Sequence, residues 1–269
     1  MGSDYKHIVV KPLSGVLGAE IENVDLANGL NDDVFAEIHQ AFSDHSVILF
    51  RNQPLTQEQH INFAKYWSDI NVNRFFARVE ENPIIAEVRK EPDQEINIGR
   101  KWHTDHSYDE IPALGSILVA REVPDVGGDT MFTSMYKAYE DLSPGLKETL
   151  ENLNAIHSSK HVFVRHDDDL QTDAVHPVVI THPISGRKAL YVNPQFTVQI
   201  EGWTKEESEP LLQYLYQHGM QAHYTCRIRW EKDAIGIWDN RATWHCAIND
   251  YHGHRRLMHR ITLEGVELN

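Results

Sequence analysis

The stretch Trp102-His103-Thr104-Asp105 places an imidazole and a carboxylate two residues apart. On an extended segment, residues i and i+2 point to the same side, so His103 and Asp105 could bind one metal ion. A His-x-Asp triplet is a weak signal on its own, because a hydrogen-bonded surface pair has the same spacing. The sequence also holds a second triplet, His166-Asp167-Asp168, in a polar run without a strand pattern. Other residues must therefore choose between the two.

A third metal ligand is available at His245, which follows Trp238-Asp239-Asn240 and lies in a short run that predicts a buried strand. In a closed sandwich this later strand could return to His103 and Asp105. Two histidines and one carboxylate are the facial triad of non-haem iron(II) oxygenases, which leaves coordination positions open. The alternative is a packed core histidine, since Trp244 and Cys246 flank it.

Three arginines, Arg255, Arg256 and Arg260, follow His245 in the segment 255–260. If this segment is a strand, Arg256 and Arg260 share one face, and two guanidinium groups on an inward face require anions. A solvated basic edge strand is the alternative. Thr130, which comes after the turn sequence Gly127-Gly128-Asp129, could donate its hydroxyl to the same anion.

The elements that must position these residues are mostly short strands. Helices are predicted from the cap Asn31 to about Asp44, from the capping-box residue Thr56, from Ser143 to about residue 153, and within 204–218. Strands are predicted at 8–10, 19–24, 47–50, 83–88, 116–120, 130–132, 178–180, 189–192, 196–200, 224–230, 234–238, 243–247 and 256–263. This order predicts an α+β fold with a mostly β core, a double-stranded β-helix (a cupin-like jelly roll) with helical inserts. We expect one domain over 1–269, with 160–174 as an active-site loop or lid.

The composition favours a small-molecule ligand. The chain has 269 residues, of which 41% are hydrophobic, and a formal net charge of -15. This charge argues against binding to nucleic acid or to an anionic membrane, because both require a basic face. The two cysteines, Cys226 and Cys246, fit a reducing compartment, and neither a signal peptide nor a membrane span is indicated. We therefore expect a cytoplasmic protein.

Taken together, these motifs resemble the TauD/TfdA family of Fe(II)- and 2-oxoglutarate-dependent dioxygenases. The resemblance rests on the segments 102–105, 127–130 and 238–245 with Arg256 and Arg260, and it extends over nearly the whole chain. Within the family the sequence is most similar to the aryloxyalkanoate (dichlorprop-type) branch, through residues 12–20, 186–193 and 200–202.

The resemblance implies a role for each motif residue. His103, Asp105 and His245 would bind Fe(II), and Arg256 with Thr130 would hold the distal carboxylate of the cosubstrate 2-oxoglutarate. Arg260 would lie near the cosubstrate and the anionic group of the substrate. The implied reaction uses O2 to hydroxylate a C–H bond of a small anionic molecule, with succinate and CO2 as coproducts. Because the carboxylate of Asp105 is retained, no coordination position is left vacant for a halide ion, so the resemblance argues against a halogenase.

The resemblance also points to residues that would contact the substrate. Asn73 and Gly99 stand where taurine-oxidising members have a histidine and an asparagine, which makes taurine itself an unexpected substrate. Phe163 and Phe196 fall where relatives have aromatic pocket walls. Phe76 and His106 are further candidates, with ordinary core packing as the alternative for the aromatic residues.

Two other functions remain open from the residues. A metal-dependent cupin-like hydrolase or isomerase could share the three metal ligands, but it would have no use for Arg256 and Thr130. A non-enzymatic metabolite-binding jelly roll could use the triad as a structural metal site. A homo-oligomer, either a dimer or a tetramer, is expected from the resemblance alone.

Overall fold

The computed structural model describes residues 5–164 and 170–268. The rival triplet His166-Asp167-Asp168 and the middle of the predicted lid lie outside these residues. The first half contains the strands β1 (Val9–Pro12), β2 (Ala19–Glu22), β3 (Val47–Phe50), β4 (Ile70–Asn71), β5 (Ala86–Lys90), β6 (Gly115–Glu122) and β7 (Thr130–Ser134). The second half contains β8 (Asn154–Ser158), β9 (Asp173–Pro177), β10 (Val179–Thr181), β11 (Lys188–Leu190), β12 (Thr197–Ile200), β13 (Thr225–Ile228), β14 (Ile235–Asp239), β15 (Thr243–Ala247) and β16 (Arg256–Leu263).

Each of the α-helices in the described part of the chain begins after a residue whose side chain caps its N-terminus. They are α1 (Asp32–His45), α2 (Gln57–Ala64), α3 (Met135–Glu140), α4 (Pro144–Leu150) and α5 (Lys205–Gly219). Thr56 forms the predicted capping box with Gln59, and Thr204 forms another with Glu207 at the start of α5. Because these side chains satisfy amide groups that a helix end leaves unpaired, they define where each helix starts. Within the described residues, no helix combines the length and the apolar character needed to cross a bilayer.

Two sheets enclose the centre of the molecule. The large sheet has the order β1-β2-β3-β14-β6-β16-β4, and β5 also pairs with β16. A smaller sheet has the order β13-β7-β15. Leu118 and Met258 of the large sheet share a buried apolar cluster with Phe132 and Ile228 of the small sheet. The two sheets therefore pack face to face, as the jelly-roll prediction requires.

The other face of the large sheet is covered by helices. Ile117 and Ile261 point into a cluster with Ile38 of α1 and Phe63 of α2. Neighbouring positions on β6 and β16 point to the opposite side, since side chains alternate along a strand. The alternation gives each of the two central strands one face for the helical layer and one face for the site between the sheets.

Some boundaries differ from the sequence predictions. The strand expected at 83–88 is β5, which begins at Ala86 and ends at Lys90, and α4 ends at Leu150 instead of near 153. The predicted loop 160–174 overlaps β9, because Asp173 and Ala174 pair with β8. The helix α3 and the strands β4 and β8 were missed, because each is too short to show a clear hydrophobic period.

Candidate active site

Three side chains with metal-binding chemistry converge between the two sheets. Ligand atoms of His103, Asp105 and His245 all lie within 4.8 Å of one another, and all three residues are buried. Among residues 5–164 and 170–268, this is the one such group of histidine, cysteine and carboxylate side chains. Two imidazoles and one carboxylate are the donor set of the facial triad for non-haem iron(II).

The backbone holds the two histidines directly opposite each other. His103 forms an isolated antiparallel bridge with His245, and the two backbone hydrogen bonds of this bridge measure 3.1 and 2.8 Å. The extended segment predicted through His103 and Asp105 is wrong, because only His103 pairs as a strand residue. Asp105 lies in the turn that follows the bridge, and His106 has a left-handed backbone with φ of 58°. The turn, and not strand alternation, brings the carboxylate to the histidines.

The surroundings of the imidazoles orient their Nε2 atoms toward Asp105. His103 Nδ1 donates to the carbonyl oxygen of Lys101 at 2.7 Å, which turns Nε2 toward Asp105, 3.5 Å from Oδ1. His245 Nε2 lies 3.6 Å from Asp105 Oδ2. The ring of His245 packs against Trp238, with centroids 4.8 Å apart, and burial holds its pKa well below the ordinary value. Both imidazoles thus turn a ring nitrogen toward Asp105, and His245 is suited to bind a metal in its neutral form.

Asp105 is held as a carboxylate by Arg260. Burial alone would raise the pKa of Asp105, but the charge of Arg260, together with the contacts to His245 and His103, holds that pKa well below its ordinary value. Arg260 Nη1 donates to Asp105 Oδ1 at 3.3 Å, and Nη2 lies 3.0 Å from Oδ2. Arg260 Nε donates to Ser116 at 3.0 Å, which anchors the guanidinium. The arginine predicted to lie near an anionic ligand thus contacts the metal-binding carboxylate directly.

Arg256 presents a buried nitrogen for an anion. Its side chain is 5% exposed, and Nε donates to the carbonyl oxygen of Gly128 at 3.1 Å. Nη2 has no hydrogen-bond partner among the described residues. A Cβ on Gly128 would lie 3.2 Å from Arg256 Cδ, so the glycine makes room for the arginine. Since a buried guanidinium nitrogen needs an acceptor, the site fits a carboxylate from a ligand.

Thr130 lies at the start of β7 and lines the same cavity as Arg256. Its Oγ1 accepts a hydrogen bond from Trp230 Nε1 at 2.9 Å. The indole can only donate, so the hydroxyl proton of Thr130 stays available for an acceptor. Thr130 and Arg256 together offer two donors to one anion, as their types in the sequence indicated.

The metal-binding group opens into a cavity of about 470 Å³. Every site residue named from the sequence lines it: His103, Asp105, His245, Thr130, Arg256, Arg260, Asn73, Phe76, Gly99, His106, Phe163 and Phe196. Sequence reasoning missed further wall residues, among them Val88, Asn97, Tyr108, Leu118 and Gln195. Alternation with Arg256 and Arg260 on paired strands could have found Val88 and Leu118, whereas the loop residues carry no such signal.

Aromatic rings form one wall of the cavity. Phe196 lies edge-on to His103 with centroids 6.1 Å apart, and Tyr108 packs on Phe196 at 4.8 Å. Phe163 stacks on Phe75 at 3.9 Å, but Phe75 belongs to the buried core behind the wall. The Arg260 guanidinium carbon lies 5.6 Å from the centroid of Phe76. The cavity is therefore apolar beside the metal ligands and cationic on the side of β16.

A buried hydrogen-bond chain links the substrate wall to the metal-binding turn. His106 Nδ1 donates to Asp109 at 2.8 Å, and His106 Nε2 accepts from Asn73 Nδ2 at 3.2 Å. The Asn73 side-chain oxygen accepts from the backbone amides of Phe75 and Phe76 at 2.9 and 3.1 Å. Arg74 pairs with Asp109. Both ends of the Asn73 amide are thus used within the protein.

A family of dioxygenases and two individual dioxygenases match most of this chain. A family model described as "Taurine catabolism dioxygenase TauD, TfdA family" matches residues 9–262. The chain is 32% identical to an alpha-ketoglutarate-dependent sulfate ester dioxygenase of Pseudomonas putida, over 95% of this chain and 89% of that protein. It is also 32% identical to an alpha-ketoglutarate-dependent 2,4-dichlorophenoxyacetate dioxygenase of Cupriavidus pinatubonensis, over 88% of this chain and 91% of that one.

The fold is that of solved structures of the same kind. A crystal structure of AAD-2 in complex with Mn(II) and N-oxalylglycine superimposes with a TM-score of 0.87 at 26% identity, covering 97% of this chain and 99% of that one. These likenesses confirm the mostly β jelly-roll prediction and favour the oxygenase over the hydrolase and the non-enzymatic binder. The chain belongs to the TauD/TfdA family of Fe(II)- and 2-oxoglutarate-dependent dioxygenases.

Proposed function

We propose that the enzyme hydroxylates a C–H bond of a small anionic organic substrate and that His103, Asp105 and His245 bind its Fe(II). The observation that carries this proposal is the convergence of three ligand atoms within 4.8 Å at the edge of a cavity that also holds two buried arginines. Two imidazoles and an ionised carboxylate match the donor preferences of the ion. When bound, Fe(II) and 2-oxoglutarate supply the activation of O2, and succinate and CO2 leave as coproducts.

The residues around the triad have separate tasks. Arg256 and Thr130 bind the distal carboxylate of 2-oxoglutarate, because each has a donor left over for it. Arg260 holds Asp105 as a carboxylate and directs its oxygens toward the two histidines. Fixed orientation of the ligands before the reaction limits the geometries in which the substrate can react.

The aromatic wall excludes water from the reacting carbon. Phe76, Phe163 and Phe196 line the cavity beside the metal ligands, and Trp238 lines it behind His245. Because these rings offer few hydrogen-bonding groups, the reacting end of the cavity is suited to a C–H bond of the substrate. The protein supplies binding, orientation and exclusion of water around its cofactor.

We propose an aryloxyalkanoate, a sulfonate, a sulfate ester or a related carboxylate as the substrate. The relatives act on a sulfate ester and on 2,4-dichlorophenoxyacetate, both of which join an anionic group to an organic body. Arg100 and Lys101 line the cavity and are exposed, so they lie where an incoming anion first meets the protein. Taurine fits less well, since the amide of Asn73 is already paired with His106 and the backbone.

Two measurements test the proposal. Anaerobic addition of Fe(II) and 2-oxoglutarate should produce a weak visible charge-transfer band, and its absence in protein shown to hold iron would contradict the assignment. A panel of carboxylates, sulfonates, sulfate esters and aryloxy acids should then reveal substrate-dependent release of succinate. No release with any member of the panel would remove this substrate class while leaving the charge-transfer result intact.

We also propose a homo-dimer or homo-tetramer, from the resemblance to the family. Multi-angle light scattering of the purified enzyme measures its mass directly. A mass equal to the 31.0 kDa of one chain would contradict this proposal.

A further inference from the structure

Lys90 is a lysine that the fold buries without a partner. It is 2% exposed, and its Nζ has no hydrogen-bond partner among the described residues. The nitrogen lies 4.4 Å from the ring centroid of Tyr251, so the surrounding contact is a cation–π interaction. A buried ammonium is costly unless an anion or a set of acceptors compensates it. A ligand that brings an anion close to Lys90 would lower the cost of this buried charge.

The sheet places Lys90 beside the proposed cosubstrate site. Lys90 at the end of β5 is directly opposite Arg256 at the start of β16. Opposite residues of an antiparallel pair point to the same face. Val88 and Arg260 lie on this face too, and both line the cavity. Lys90 therefore lies beside Arg256 on the neighbouring strand, on the same face of the sheet.

Tyr251 connects the two cations. A Cβ on Gly128 would lie 3.3 Å from a ring carbon of Tyr251 and 3.2 Å from Cδ of Arg256. Tyr251 thus packs against the glycine turn beside Arg256, while its ring face contacts Lys90. Lys90 itself does not line the cavity, so it acts from behind the first layer of side chains.

The protein supplies little negative charge to this pair. Among the described residues, Lys90 has no carboxylate within ion-pairing distance, and Arg256 has a nitrogen without a partner. Asp129, whose charge acts on Arg256, accepts from Arg227 Nε at 2.5 Å, and Asp250 accepts from the amide of Gly128 at 2.7 Å. Two buried cations in opposite positions of the sheet become favourable when a ligand brings an anion.

We propose that Lys90 is a second cation of the 2-oxoglutarate site, which makes the enzyme select 2-oxo acids that carry a distal carboxylate. This inference rests on the proposed role of Arg256. Lys90 is not a catalytic residue: it touches neither metal ligand nor cavity, and it raises the positive potential where the distal carboxylate binds. The competing role is structural, in which the lysine serves to pack against Tyr251.

The test compares two 2-oxo acids in the metal-loaded enzyme. Binding of 2-oxoglutarate and of 2-oxopentanoate, which lacks the distal carboxylate, is measured by calorimetry without oxygen for wild type, Lys90→Met and Lys90→Arg. We expect Lys90→Met to weaken 2-oxoglutarate binding by about 10-fold and to leave 2-oxopentanoate binding unchanged. Lys90→Arg should retain most of the preference, since it keeps the charge. The exposed Lys11→Met is the matched control and should change neither affinity.

Stability separates the two roles. If Lys90 serves the ligand, Lys90→Met should raise the melting temperature of the ligand-free protein, because a buried charge without a partner is removed. Unchanged 2-oxoglutarate affinity, or equal loss for both acids, would overturn the inference. Arg256→Met tests the proposed function separately. If that variant binds 2-oxoglutarate normally, the carboxylate site itself is assigned wrongly. If 2-oxoglutarate affinity falls in Arg256→Met but not in Lys90→Met, only the role of Lys90 is rejected.

Discussion

His103 and His245 donate their backbone amides to each other's carbonyl oxygens, at 3.1 and 2.8 Å. This reciprocal pair fixes the separation of the two imidazoles through the main chain, with ring centroids 4.1 Å apart. The third proposed ligand, Asp105, reaches them from the turn directly after His103 and is held by Arg260. Because two ligands share one β-bridge, changes to the side chains should alter metal binding before they alter the local backbone.

Asp105→Asn should abolish iron binding and substrate-coupled succinate formation. The amide keeps the size of the side chain but loses the charge that the metal and Arg260 require. We expect iron affinity to fall by about 100-fold or more, since loss of even a supporting residue costs about 10- to 100-fold. Anaerobic titration with Fe(II) measures the affinity. Asp141→Asn, on the exposed end of α3, is the matched control, and normal turnover by the Asp105 variant would remove it from the ligand set.

Arg256→Met should raise the KM for 2-oxoglutarate by about 10- to 100-fold with a smaller effect on kcat. The variant removes the donor to the distal carboxylate and leaves the metal ligands in place. Steady-state succinate formation at varied 2-oxoglutarate measures both constants. The neighbouring Arg255 points to the other face and pairs with Glu91 and Glu122, so Arg255→Met should behave as wild type. Equal effects of the two variants would mean that the carboxylate binds elsewhere.

Gly99→Ala should lower the affinity for iron, whereas Gly186→Ala, with a similar loss of stability, should not. Gly99 has φ of +79°, and a Cβ there would lie 3.4 Å from Cε1 of His103. Gly186 has φ of +67°, and a Cβ on it would meet no atom within 4 Å, so Gly186→Ala carries the same backbone strain without the contact. We expect each variant to lose about 1 kcal/mol of unfolding free energy. Only Gly99→Ala should lower iron affinity, and equal iron binding by both variants would contradict this expectation.

The folded protein should lose stability in mild acid through His60. This residue of α2 is fully buried, and burial together with the charge of Arg121 lowers its pKa to about 3. In the unfolded chain the imidazole of His60 binds a proton near a pH of about 6.5. In the folded protein this imidazole stays neutral until about pH 3. The contribution of His60 to the free energy of unfolding is therefore fully present above a pH of about 6.5, and it is lost as the pH drops toward about 3.

Urea unfolding at about pH 7.5 and about pH 5 measures the effect. One histidine with these pKa values accounts for about 2 kcal/mol of the loss at about pH 5. His60→Leu should show that much less acid sensitivity, because leucine does not titrate. His259, whose pKa is lowered to about 4 by burial first, contributes in the same direction and remains in the variant. The same pH dependence in wild type and His60→Leu would show that the loss has another source.

The sequence by itself determined which side chains are available for chemistry. The residue types at His103, Asp105 and His245 allowed a metal site, and the resemblance to the family added the prediction of an iron triad with a carboxylate site at Thr130 and Arg256. Local signals such as the capping box at Thr56 also located helices correctly, because a helix start depends on neighbours three residues away. The helix starts are therefore set by contacts between residues that are close in sequence.

The tertiary structure decided what depends on distant pairing. His103 lies opposite His245, although the sequence suggested a strand at His103 itself. Arg260 forms an ion pair with Asp105, and Lys90 lies opposite Arg256 on the neighbouring strand. Both relationships join segments that no local sequence pattern connects. The loop walls at Asn97 and Gln195 were missed for the same reason. Register and turn geometry arise from the packing of the whole sheet, so they become visible only when the chain is folded.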